Sequence, residues 1–187
     1  ADNVYAAGAR GEAAGDGTAI LRSWRPRGRQ RWTATVSGSG GGMPAWRDVV
    51  VRGTSVYVAG QSTGIPSTSA FMAAKYTTAG TRAWGEVRTQ AFANGAWMQD
   101  LAVDRAGAAV VAGYAYGIGS AGQDLPVVWK VGKGGGTRWS KTMANNEWPH
   151  DGLWNAVAVD SKNRIYVAGG QWVTPGTVLA KVAHRHL

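Results

Sequence analysis

The sequence contains no cysteine among its 187 residues, which excludes a disulfide framework, a thiolate metal site and a cysteine nucleophile. Only three histidines are present, so any catalysis would have to rely largely on other groups. No stretch approaches the ~18 uncharged apolar residues of a membrane-spanning helix. The chain starts at Ala1 without a charged-then-apolar leader. We therefore expect a soluble chain without a membrane span, either processed or cut from a longer one.

Acidic residues are also few, with 11 Asp and Glu against 20 Lys and Arg, which gives a formal net charge of +9. Hydrophobic residues make up 44% of the chain, including ten tryptophans, and there are 28 glycines. This much apolar material excludes wholesale disorder. The length suits a single domain, 1–187, or part of a larger one.

A short segment recurs four times along the chain. Its copies are Val-Tyr-Ala-Ala-Gly8, Val-Tyr-Val-Ala-Gly60, Ala-Val-Val-Ala-Gly113 and Ile-Tyr-Val-Ala-Gly169. The four glycines are separated by 52, 53 and 56 residues. Tryptophans keep the same phase, and we interpret them as packing between repeats; they are Trp32, Trp84 and Trp139.

Each repeat contains four short runs rich in β-branched and aromatic residues, which predicts four antiparallel strands. The best-formed copy places strand one at 100–104, strand two at 108–113, strand three at 127–131 and strand four at 137–143. The links one-to-two and three-to-four are tight, whereas the links two-to-three and four-to-one are long. Alternate links of an antiparallel meander turn at the same end. One face of the molecule should therefore carry long loops and the opposite face tight turns.

Four-stranded meanders at this period are typical of β-propeller blades. Residues 160–169 read Asp-Ser-Lys-Asn-Arg-Ile-Tyr-Val-Ala-Gly, and residues 73–84 read Ala-Ala-Lys-Tyr-Thr-Thr-Ala-Gly-Thr-Arg-Ala-Trp. They resemble the bacterial β-propeller repeat in which an Asp-x-x-Gly-Asn-x-Tyr-Val-x-Gly turn precedes an Ala-Lys-(x)-Gly-x-x-x-Trp hairpin. The resemblance implies a secreted or surface module, extracellular or periplasmic. Val110 and Ser23 replace the motif's tyrosine and lysine, which indicates structural rather than catalytic roles for those positions.

The repeats predict blades at about 1–36, 46–89, 98–143 and 154–187, or roughly three and a half repeats of 52–56 residues. The first copy lacks strand one and the last lacks strand four, so fourteen strands are expected. An open arc would expose strand edges and apolar blade faces. We predict an incomplete ring that another chain, a second copy or another segment completes. The alternative is a compact four-bladed ring with imperfect end blades.

Tryptophans in the long loops are candidate contacts for a glycan or a protein partner. Those that precede strand one are Trp46, Trp97 and Trp154, and those without counterparts in other repeats are Trp148 and Trp172. Indole rings at such positions can stack on sugar rings or anchor a protein. The alternative is that a tryptophan recurring once per blade seals the core.

Five arginines fall within ten residues of the first repeat: Arg22, Arg25, Arg27, Arg29 and Arg31. Guanidinium groups suit phosphate, sulfate and carboxylate, so this patch is a candidate site for a polyanion. Nucleic acid is disfavoured because no nucleic-acid fold motif accompanies the patch. The alternative is a solvated edge hairpin on the tight-turn face.

A histidine and acids meet in one long loop, where His150 and Asp151 are a weak candidate metal site. Their adjacent spacing is not diagnostic, and the sequence indicates no cofactor. We interpret the chain as a non-catalytic binding or assembly module that contacts a partner through its long-loop face and open blade ends. The alternatives are a propeller enzyme, either a metal-dependent lyase or a quinone-cofactor type, and a structural subunit that docks an anionic partner.

Overall fold

The computed structural model describes residues 3–11, 17–38, 42–63, 70–88, 95–118, 122–142, 152–171 and 185–186. Within these ranges the chain forms fourteen strands and no helix, which confirms the predicted all-β class. Every paired strand runs antiparallel to its neighbour. The strands form four small sheets with three, four, four and three members, as expected for consecutive propeller blades.

The strands follow the chain in meander order within each sheet. The first sheet comprises β1 (Val4–Gly11), β2 (Gly17–Trp24) and β3 (Gln30–Ser37). The second comprises β4 (Met43–Arg52), β5 (Ser55–Thr63), β6 (Ala70–Thr77) and β7 (Arg82–Arg88). The third comprises β8 (Ala96–Val103), β9 (Ala109–Ala115), β10 (Leu125–Val131) and β11 (Thr137–Thr142). The fourth comprises β12 (Gly152–Val159), β13 (Ile165–Gln171) and β14 (Arg185–His186).

Strand one of each repeat starts earlier than the sequence predicted. It is represented by β4, β8 and β12, which begin at residues 43, 96 and 152, before the predicted blade starts at 46, 98 and 154; β8 also begins before the strand predicted at 100–104. In the last repeat residues 172–184 lie outside the described residues, and β14 pairs with Tyr166 and Val167 of β13.

The sheets pack face to face through three apolar cores, because alternate residues of each strand point to opposite faces. Sheets one and two share a core that contains Leu21, Trp46, Val56, Val58 and Met72. Sheets two and three share one that contains Tyr57, Phe71, Met98, Val111 and Trp129. Sheets three and four share one that contains Val110, Val128, Trp154, Val157 and Val167. The described parts of sheets one and four share no core with each other, so the described ranges show an arc rather than a closed ring.

The four glycines of the recurring segment, which we call the repeat glycines, occupy equivalent places on strand two. In sheets two to four, strand one forms a β-bulge as it passes this glycine. A Cβ atom built on Gly60 would overlap the carbonyl oxygen of Ala45, and one built on Gly113 would overlap that of Trp97. Gly169 has the same relation to Leu153. The repeat requires glycine here because the bulged backbone occupies the space of a side chain.

The strand-four tryptophans link neighbouring sheets through the tight turns. Trp32 donates its indole N–H to the carbonyl of Thr78 at 3.1 Å, and Trp84 donates to that of Lys133 at 3.0 Å. Gly80 and Gly135, both with positive φ, lie against the rings of these two tryptophans. The predicted packing role is therefore confirmed for the tryptophans of sheets one and two.

Candidate functional site

A cavity of about 260 Å³ lies where β1 ends and where β4 and β8 begin, on the side of the long loops. Its wall includes Arg47, Gln61 and Trp97. The guanidinium carbon of Arg47 lies 4.1 Å from the centre of the Trp97 ring, in a cation–π arrangement. Gln61 is buried, and its side-chain oxygen accepts a hydrogen bond from the backbone N–H of Met98 at 3.2 Å. The arginine therefore covers one face of Trp97.

Two of the tryptophans predicted as ligand contacts are core residues, so that prediction is wrong for them. Trp46 and Trp154 are 2% and 1% exposed, and each packs between two sheets. Strand one turns these side chains inward at the residue just before its bulge, and the third sheet has Met98 at the same place. A buried indole has no free face for a sugar or a partner, so the alternative of a core-sealing tryptophan applies.

Trp97 differs from them because it lies one residue earlier in the register. It is half-buried at the rim of the cavity and is equivalent to Ala45 and Leu153. Trp148, Trp172, His150 and Asp151 lie outside the described residues. No group of three His, Asp or Glu that could hold a metal ion occurs in the ranges that the structure does describe.

The five arginines of the first repeat do not form one patch. Arg25, Arg27 and Arg29 are exposed in the turn between β2 and β3. Arg31 is half-buried and donates to the carbonyl of Thr78 at 3.0 Å and to the Ser23 hydroxyl at 3.3 Å. Its placement in an anion site is therefore wrong, since its guanidinium group joins sheets one and two.

Arg22 lies in the middle of β2, on the face of sheet one that points away from sheet two. The register places it where sheet two has Ala74 and sheet three has Trp129, both completely buried. On the same face, Val4 of β1 is 53% exposed, although its equivalent Val56 is completely buried. We call this face the outer face of sheet one, and none of its residues belongs to the three described cores; they are Val4, Ala6, Gly8, Ile20, Arg22 and Trp24.

Two aspartates at equivalent places on strand one join neighbouring sheets. The carboxylate of Asp48 accepts the backbone N–H of Leu101 at 3.2 Å, and that of Asp100 accepts the N–H of Val157 at 2.7 Å. Each also accepts the N–H of the residue that follows it, at 2.6 and 2.9 Å. Burial, together with the nearby charge of Asp100, raises the pKa of Asp48 above its usual value. Ala156 takes this place in the fourth sheet.

The repeat lysine has a structural role in the third sheet. Lys130 lies 2.9 Å from the carboxylate of Asp104, which is buried and also accepts the backbone N–H of Ala108 at 2.8 Å. Burial acts to raise the pKa of Asp104, but the hydrogen bonds from Lys130 and Ala108 outweigh it and leave the pKa below 3.8. This pair therefore stabilises the fold above the pKa of the unfolded chain and loses that contribution as the pH falls through the lowered value.

Replacement of Lys130 by methionine should lower the free energy of unfolding at pH 7 by about 3 kcal/mol, because Asp104 is left buried without its counter-ion. The isolated carboxyl then has a raised pKa, so protonation relieves the defect. We expect the difference from the wild type to shrink as the pH falls from 7 to 3 in urea unfolding. Lys133→Met, at an exposed neighbouring position, is the control and should stay close to wild type. A pH-independent difference would contradict the assignment.

Comparisons with known proteins identify no family. No family model matches the chain, and no curated protein matches it. A solved structure of a protein of unknown function from Bacteroides caccae is similar, with 13% sequence identity and a TM-score of 0.45. The similarity covers 79% of this chain and 46% of that one, so the chain spans less than half of that protein's length. Nothing in the described ranges forms a helix with the length and apolarity needed to cross a membrane.

Proposed function

We propose that the chain is a non-catalytic assembly module that binds another polypeptide through the outer face of sheet one. The observation that carries the proposal is the contrast between Val4 and Ala6, which are exposed, and their equivalents Val56 and Val58, which are buried between two sheets. Exposed apolar positions beside an unpaired strand edge are typical of interaction sites. The family resemblance supports a location outside the cytoplasm for this assembly.

The hydrogen bonds of the described aspartates support a non-catalytic role. Every aspartate whose side chain the structure describes accepts a hydrogen bond from a backbone N–H; these are Asp48, Asp100, Asp104, Asp124 and Asp160. Asp160 also pairs with Arg164, and its hydrogen bonds outweigh desolvation and lower its pKa to about 2. Carboxylates engaged in this way hold turns and join sheets.

Charge favours a partner with acidic groups over a purely apolar one. Arg22 lies exposed within the outer face, and Arg25, Arg27 and Arg29 lie exposed at the adjoining turn. Burying Arg22 against a partner without a carboxylate would leave an unpaired charge, which is costly. Opposite charges on the partner would instead favour encounter and fix its orientation.

Native mass tests this function. When the protein is isolated from its own cells under native conditions, light scattering should report a complex heavier than the 19.6 kDa of the chain. Val4→Lys places a charge on the outer face and should release the chain as a folded monomer. Ser140→Lys, at an exposed position of β11 in sheet three, is the matched control and should leave the complex intact. A stable, monodisperse 19.6 kDa species from native cells would overturn the proposal.

A further inference from the structure

The edge of β1 away from β2, which we call the open edge, lacks the strand that its three equivalents have. In sheets two, three and four, strand two pairs on this side with β4, β8 and β12. Each of those strands makes its bulge at the repeat glycine. Among the described residues nothing pairs with β1 on this side.

The open edge nevertheless keeps the feature that a bulged strand requires. Gly8 is the repeat glycine of β1, and a Cβ atom built on it meets nothing within 4 Å in the described structure. A Cβ atom built on Gly60, Gly113 or Gly169 overlaps the carbonyl oxygen of the bulged strand. The described surroundings of Gly8 therefore leave room for a larger side chain. A bulged strand paired with the open edge would require glycine at this position.

The backbone N–H of Val49 is placed to donate a hydrogen bond to a strand at the open edge. Leu101 donates its N–H both to Asp100 of its own strand and to Asp48 of the preceding sheet. Val49 is the equivalent residue in sheet two, and its N–H donates to Asp48 of its own strand at 2.6 Å. An aspartate on a strand at the open edge would lie next to Val49 as Asp48 lies next to Leu101.

We propose that the open edge of β1 binds an extended strand of a partner polypeptide with the pattern apolar-x-Asp-apolar-x-apolar. The pattern is that of the strands already bound at the equivalent edges, Trp46 to Val51 and Met98 to Val103. The partner strand runs antiparallel to β1, bulges at Gly8 and directs its carboxylate towards Val49. This adds a strand to an existing sheet, in which backbone hydrogen bonds supply affinity and side-chain pockets supply specificity.

This proposal rests on the proposed function and names the chemistry of the partner. The probe is a fluorescein-labelled peptide with the sequence of residues 95–104, which is strand one of the third sheet. Its binding to the full chain is measured by fluorescence anisotropy, and the native mass is measured in parallel. We expect saturable binding of one peptide per chain.

Two matched variants locate the site. Gly8→Ala should weaken peptide binding by about tenfold or more, because its methyl group overlaps the bulged backbone. The same variant should fold normally, since its surroundings are open. Gly11→Ala, also open and on the same strand, should bind the peptide like the wild type, because the equivalent position of β5 is Thr63, paired with Met43 of β4. Circular dichroism melting checks that both variants are folded.

A peptide variant tests the carboxylate. The peptide with Asp100→Ala should bind about five- to tenfold more weakly, as expected for loss of a charge-assisted hydrogen bond. Equal binding of both peptides would show that the partner strand needs no aspartate, while the pairing of a strand with the open edge would still stand. No binding, or binding that Gly8→Ala does not change, would overturn the site.

The experiment also separates this proposal from the proposed function. One outcome is that the native complex forms and Val4→Lys dissociates it, while the peptide fails to bind. In that case the assembly role stands, and the partner does not supply such a strand. If the chain self-associates and the peptide does not compete, a second copy occupies the face and the proposal is wrong. If the peptide binds and the native chain is a monomer, the assembly role fails and the strand site stands.

Discussion

Gly60→Ala is expected to lower the free energy of unfolding by about 3 kcal/mol or more, because the new methyl group overlaps the carbonyl oxygen of Ala45 in the adjoining strand. The obstacle is backbone held in a ladder, not the movable end of a side chain, so relief requires β4 to shift away from β5. A loss of this size is a large part of the total stability of a typical domain, which is about 5–15 kcal/mol. Urea unfolding followed by tryptophan fluorescence measures the difference.

Gly8→Ala is the matched control for that loss, because it makes the same chemical change at the same place in the repeat. We expect the free energy of unfolding to stay within about 0.5 kcal/mol of wild type, since nothing described lies within 4 Å of the added carbon. Equal losses for both variants would mean that glycine is needed for backbone conformation and not for the approach of a bulged strand.

Trp129→Ala is expected to cost about 3–5 kcal/mol, the usual range for truncating a large aromatic side chain in a core. Trp129 is completely buried between sheets two and three, and its indole N–H donates to the hydroxyl of Thr137 at 3.1 Å. The variant leaves a cavity in that core. Unfolding curves of the variant and the wild type in guanidinium chloride would give the change in the unfolding midpoint.

A conservative replacement separates volume from polarity at this position. Trp129→Phe keeps much of the ring volume and removes the indole N–H, so its cost should be clearly smaller than that of Trp129→Ala. A loss below about 1 kcal/mol for the alanine variant would contradict the packing of sheets two and three described above.

The strand plan could be predicted from the sequence because two signals repeat in phase. Runs rich in β-branched and aromatic residues marked the strands, and the spacing of Gly8, Gly60, Gly113 and Gly169 marked the repeat. The reason for those glycines could not be predicted. It depends on the bulged carbonyl of a neighbouring strand, a contact between segments about fifteen residues apart.

The candidate contacts were harder to predict because the tryptophans before strand one do not share one register position. Aligning Trp46, Trp97 and Trp154 by residue type treated them as equivalent, yet Trp97 belongs one position earlier than the other two. A shift of one residue moves a side chain to the opposite face of a strand. Two indoles therefore enter the core, and the third reaches the rim beside Arg47.

The positions of the arginines in space could not be predicted from their closeness in sequence either. Arg22, Arg25 and Arg31 are close in sequence, but a strand, a turn and a second strand distribute them over different surfaces. Clustering in sequence predicts clustering in space only within a turn. The linking roles of Asp48 and Asp100 could not be predicted either, because the backbone N–H groups that donate to them lie more than fifty residues along the chain.

In the described ranges, most side chains that join neighbouring sheets reach forward along the chain; Asn163, which accepts the N–H of Arg105 in the preceding sheet, is an exception. Asp48 reaches a residue of the following sheet, as does Asp100, and Trp32 and Trp84 donate to turns of the following sheet. The leading and trailing surfaces of each sheet therefore differ, so the seam is heterologous. Copies joined through such a seam stack head to tail and cannot form a self-complementary two-fold contact there. The rotation per chain then decides between a closed ring and an open filament.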